Sequence, residues 1–131
     1  MRNDVCMIFF QSGRGTLETA EALLLDRGCA IDRQPTEYGD ELHVTCGDSP
    51  VLRIAFVTDD YVLGEAGELS EGTPHAQGMS LCDVRYEIAI DDLDAVLDEM
   101  NHLIEVQATL QDATGGYMHN SWNGEISAPE V

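Results

Sequence analysis

Over residues 82–123 the alternation of apolar and polar positions changes period twice, and the elements it predicts there are the clearest in the chain. In residues 83–90 the apolar side chains Val84, Tyr86, Ile88 and Ile90 recur at every second position, the period of a half-buried strand. From Asp91 the spacing becomes helical. At about 100° per residue, Leu93, Val96, Leu97, Met100, Leu103, Ile104 and Leu110 share one broad face, with Asp94, Asp98, Glu105 and Asp112 opposite. Asp91 is placed to cap this helix with Asp94 three residues on, so both carboxylates meet the positive end of the helix dipole. Gly115 and Gly116 end it. Residues 116–122 then predict a closing strand with Tyr117, His119 and Ser121 on one face and Met118, Asn120 and Trp122 on the other; Asn123-Gly124 is the turn after it.

The earlier chain reads less regularly. Residues 5–10 are an unbroken apolar run of strand length, the pattern of a strand covered on both faces. After the turn at 11–15, Thr16 caps a helix that turns Leu17, Ala20, Leu23 and Leu24 inward until Gly28. Residues 32–40 are polar and hold Pro35 and Gly39, so they predict a connection with at most a short edge strand. Leu42, Val44 and Cys46 alternate with polar residues, a turn follows at 47–50, and the apolar residues 51–57 complete a hairpin. In 58–80, four glycines and Pro74 interrupt every period and five acids stand without a base, which predicts an acidic irregular loop. The last residues, 125–131, predict a flexible tail.

The predicted order is β-α-β-β-β-α-β in one α+β domain spanning 1–131: a mainly antiparallel sheet with two helices on one face, a ferredoxin-like variant. The other sheet face is left to solvent or to a second subunit, which makes a homodimer an expectation.

Charge changes the picture most. Six arginines, no lysine and 25 acids give a net charge of -19. Residues 1–53 carry nine acids and five Arg, a net of -4, while residues 54–131 carry sixteen acids against Arg85 alone, a net of -15. Such a field repels nucleic acid and anionic membrane. It suits either a basic protein partner or the general acidity of a proteome adapted to high salt. With no apolar run of membrane-spanning length and no leader-like pattern, the cytoplasm is the expected compartment. Four scattered cysteines without a C-x-x-C pair read as reduced core residues.

The usual catalytic and cofactor signatures fail one by one, and no cofactor is expected. The turn at 11–15 before a helix invites a phosphate loop, but that loop needs a lysine this chain lacks, and Glu18 stands where the dinucleotide fingerprint needs glycine. Residues 59–64 fail the calcium-loop template. Asp98, His102 and Glu105, spaced by four and three, share a helix face and could offer metal ligands, although an exposed charged face is the commoner outcome of that pattern. No nucleophile is joined to a base by a local signature, so an enzyme is the less favoured expectation. Gln107 and Gln111 interrupt the apolar stripe of the long helix near Tyr117 and Trp122; with Asp94, Asp98 and Glu105 they make a candidate binding surface. The leading expectation is a non-catalytic acidic binding or inhibitor module, of the immunity or regulatory kind, that meets a basic partner. The alternatives are a small enzyme or ligand binder in which His102, Glu105 or His119 converge on a pocket near the long helix and the acidic loop, and an acidic housekeeping domain of a salt-adapted proteome.

Overall fold

The apolar run near the start of the chain forms β1 (Asp4–Phe10), and it lies well inside the sheet, as an unbroken run should. The computed structural model describes residues 4–37, 39–46, 50–98 and 100–128. Among these, seven strands make one antiparallel sheet: β1, β2 (Ala30–Thr36), β3 (Gly39–Thr45), β4 (Leu52–Val57), β5 (Val84–Ile90), β6 (Tyr117–Asn120) and β7 (Ile126–Ser127), in the order β2-β3-β4-β5-β1-β6-β7. β1 pairs with β5 from Asp4 opposite Ile90 to Phe10 opposite Val84, and its other edge takes β6, with Met7 opposite His119.

Among the described residues, five helices complete this single α+β domain: α1 (Leu17–Asp26), α2 (Tyr61–Ser70), α3 (Ala76–Met79), α4 (Leu93–Asp98) and α5 (Met100–Thr114). Alternation along β1 sends Cys6, Ile8 and Phe10 to one face. There they form the main core with Leu17, Ala20 and Leu24 of α1 and Leu103, Val106 and Leu110 of α5. Met7 and Phe9 point the other way and join a second core with Val62 and Ala66 of α2, Met79 of α3, and Cys82. The expectation of two helices on one face is therefore corrected. α1, α4 and α5 cover the first face, and α2 and α3 stand on the second, where solvent or another subunit was expected.

Residues 58–80 are likewise not an irregular loop. Val62, Ala66 and Leu69 make a narrow apolar stripe at helical spacing, and Gly64 and Gly67 point where an added Cβ would meet nothing, so the glycines weaken α2 without breaking it. The glycine at 78 has a packing reason: a Cβ there would collide with the Tyr117 hydroxyl oxygen. Residues 32–40, expected as a connection, belong mostly to β2 and β3. β2 is a full edge strand with Pro35 opposite Asp40, and an edge tolerates the missing N–H. The expected flexible tail contributes β7, whose Ile126 pairs with His119 and packs on the second core; residues 129–131 lie outside the described residues.

The helix ends follow local chemistry. Thr16 caps α1 in a reciprocal box with Thr19, as expected for the first of the two. At α4 the cap is Asp92 rather than Asp91: the Ala95 N–H donates to Asp92 Oδ1 at 3.2 Å. Asp91 instead takes the Arg53 guanidinium with both oxygens, at 2.6 and 3.0 Å. On α5, Val106 is buried and Ile104 is half exposed, a small rotation from the expected stripe. Among the described residues no helix is long and apolar enough to cross a membrane.

Candidate functional site

A cleft opens where β3 leaves β4. The two strands pair from Val44 opposite Leu52 to Glu41 opposite Ala55. Beyond that point β4 stays on β5 as far as Val57, while Asp40 and Gly39 stay with β2. The notch between the β2–β3 hairpin and the end of β4 is a cavity of about 690 Å³ whose walls include Glu18, Asp40, Glu41, Asp59, Tyr61 and Glu87. A neighbouring cavity of about 480 Å³ shares Phe56, Thr58 and Asp59 with it and adds Asp60 and Asp83. Together they form one shallow acidic cleft at the end of the sheet where α1 and α2 begin.

Most of these carboxylates already have partners. Arg33 donates through Nε to Asp40 at 2.8 Å and through Nη2 to Glu18 at 3.0 Å. That hydrogen bond, above all, holds the Glu18 carboxyl below the usual range, and Glu18 and Asp40 in turn raise Arg33. Glu41 lies 2.8 Å from His43 Nε2 and 3.7 Å from Arg53. Asp83 accepts from the Ser12 N–H at 2.7 Å and from its hydroxyl at 2.9 Å, which lowers its pKa and ties the turn after β1 to the start of β5. Asp59 and Asp60 differ. They are exposed on the approach to α2, and among the described residues no cationic side chain pairs with either. Beside them Tyr61 is 52% exposed and Phe56 half-buried, so carboxylates and aromatic rings stand together. A guanidinium or ammonium group is what such walls attract.

Under α2 lies a second charged group, whose partners Tyr61 and Glu87 also line the cleft. Arg85 is only 5% exposed and its guanidinium stands 5.4 Å from the centres of both the Phe9 and Tyr61 rings. Nε donates to Glu87 at 2.9 Å, and Nη1 is 3.0 Å from Glu65 without the alignment of a hydrogen bond. Burial opposes its charge, but the two glutamates outweigh burial and its pKa is raised. His119 on the same sheet face has a buried Nδ1 without a hydrogen-bond partner among the described residues, and burial lowers its pKa against the pull of Glu65.

The side chains singled out in the sequence fall elsewhere. Gln107 is buried and donates through Nε2 to Cys6 Sγ and to Asn120 Oδ1, each at 3.2 Å. Gln111 donates to the carbonyls of Gly116 and Ser127 at 3.1 and 3.0 Å. Both amides thus face inward and hold α5 to the returning strands, where a contact surface was expected. Tyr117 packs in the second core beside His75, and Trp122 lies against the main core. Asp94, Asp98 and Glu105 are exposed on the outer side of α4 and α5. Asp98, His102 and Glu105 do not assemble: among the described residues no three His, Cys, Asp or Glu side chains are grouped to hold a metal ion. Nor do His102, Glu105 and His119 converge, because α5 packs on the face of Cys6 and His119 shares the face of Met7. The cleft acids were missed because they come from α1, β3, β5 and the approach to α2, and the only sequence signal was Asp59-Asp60 beside Tyr61.

No protein-family model, no curated protein and no solved structure matches this chain.

Proposed function

We propose that the chain is a non-catalytic acidic module that binds a basic partner protein, receiving an arginine or lysine side chain of that partner in the cleft beside Asp59, Asp60 and Tyr61. The observation that carries this reading is the pair of exposed carboxylates without a cationic neighbour among the described residues, set beside aromatic walls in a chain of net charge -19. A cation entering there gains Coulomb attraction and ring contact while displacing no internal ion pair. Binding to an arginine-rich peptide followed from low to high salt tests it. Affinity should drop steeply with ionic strength, and Asp59→Asn with Asp60→Asn should weaken it by roughly tenfold, the equivalent of about 1.4 kcal/mol. Affinity indifferent to salt would remove the electrostatic basis.

A second reading, acidity as an adaptation to a salty interior, is favoured by the total lack of lysine and by the use of Arg33, Arg53 and Arg85 in internal carboxylate clusters. For the fold, we read β6-β1-β5-β4 with α1 and α5 as a ferredoxin-like split β-α-β core, to which the β2–β3 hairpin, α2, α3 and β7 are additions.

A further inference from the structure

Away from the cleft, the open end of the β2–β3 hairpin brings two cysteines face to face. The ladder runs in register from Thr36 opposite Gly39 to Ala30 opposite Thr45, and one step further the same register sets Cys29 opposite Cys46. Directly opposed residues of an antiparallel pair hold their Cα atoms about 4.5–5.5 Å apart, inside the range of about 4.4–6.8 Å that a disulfide spans. Both side chains lie in the main core, 7% and 9% exposed, and Cys46 shares a side-chain hydrogen bond with Cys29. The other two cysteines do not compete. Cys6 is engaged by Gln107, and Cys82 belongs to the second core on the opposite sheet face.

We propose that Cys29 and Cys46 are a dithiol site of reversible disulfide formation, oxidised by exchange with a low-molecular-weight disulfide such as oxidised glutathione. One protein thiolate attacks a glutathione sulfur, so that a protein–glutathione S–S bond forms, the glutathione S–S bond breaks and one glutathione thiolate leaves. The second cysteine attacks the protein-side sulfur of that mixed disulfide, closing Cys29–Cys46 and releasing the second glutathione. The two protons lost by the protein end on the two glutathione thiolates, and two electrons pass from protein to glutathione. Burial and the neighbouring thiol push Cys46 up to about 12, so it keeps its proton while the hairpin is closed. Exchange therefore waits on local opening of β2, an edge strand held on one side only. The bridge would fasten the edge hairpin at the end away from its turn and, by restricting the unfolded chain, stabilise the fold.

The experiment is equilibration of the whole chain in glutathione buffers of increasing oxidised fraction, followed by acid quench, alkylation in denaturant, intact mass and peptide mapping. The expected result is loss of two hydrogens, a Cys29–Cys46 cross-linked peptide, alkylated Cys6 and Cys82, and full reversal by dithiothreitol. Mild urea, which populates the open hairpin, should speed the reaction severalfold, and Cys29→Ser should abolish the loss of two hydrogens. A bridge to Cys6 or Cys82, glutathione adducts as the end point, or four alkylated thiols at every buffer composition with and without urea overturns the proposal. The mapping of the unaltered protein decides the question even where the serine variant fails to fold.

Discussion

Gln107 ties α5 to two strands through a single amide nitrogen, so its replacement separates packing from hydrogen bonding. Gln107→Leu keeps the volume but leaves the buried Asn120 oxygen without this donor, and a stranded buried acceptor costs about 1–3 kcal/mol. Urea unfolding should show that loss, and the double variant with Asn120→Leu should recover part of it. His119 supplies a pH signature. Its folded-state pKa is lowered below the ordinary 6.5, so as pH falls the unfolded chain takes up the proton first. Stability from this group is complete above pH 6.5 and is lost as pH falls from there through the folded value. His119→Gln should flatten the decline in urea midpoint between about pH 7.5 and about pH 5.5, ahead of carboxylate titration. The sequence made Gln107 conspicuous, because an amide in an apolar stripe needs partners. It could not supply them, since Cys6 lies 101 residues away. Arg85 was less legible still. Strand alternation puts it on the polar side of β5, and only the arrival of α2 turns that side into a second core.

Among the elements, those with a strong local period were legible: β1, the β3–β4 hairpin, β5 and α1 stand where apolar spacing predicts them, and the single helix expected from Asp91 to Gly115 is described as two, α4 and α5. α2 was not, because a ten-residue helix with two glycines and a three-residue apolar stripe has too little periodicity to compete with the turn signals around it. β2 was missed for a different reason: at a sheet edge most of its side chains are exposed, so hydrogen bonding defines it and alternation does not. Substitutions within and at the ends of the helices should act in opposite directions. Gly64→Ala should stabilise the protein by about 0.5–1 kcal/mol in thermal or urea unfolding, since the new methyl meets nothing and the unfolded chain loses freedom. Asp92→Ala should cost about 1 kcal/mol through loss of the α4 cap. Asp91→Ala should cost less than that, because the exposed pair with Arg53 contributes only about 0–1 kcal/mol. The reverse ranking would contradict the assignment of the cap.

At the scale of the whole molecule, self-repulsion outweighs any single ion pair. A net charge of -19 on 131 residues, with Arg33, Arg53 and Arg85 bound into internal carboxylate groups, leaves a surface whose acids oppose one another. The urea midpoint should therefore rise with salt between about 0.01 M and about 1 M, as the screening length contracts from about 30 Å to about 3 Å. The same field would draw in a basic partner, and the sequence located it only as far as the second half of the chain. The fold divides that half into a convex outer face bearing Asp94, Asp98 and Glu105 and a concave cleft bearing Asp59 and Asp60. Backbone amide chemical-shift mapping during titration with an arginine-rich peptide distinguishes the two most directly. Docking in the cleft predicts that the perturbed amides cluster on residues 58–63, 83–87 and 39–41, around its walls. Shifts confined to α4 and α5, or spread evenly over the acidic surface, would contradict it.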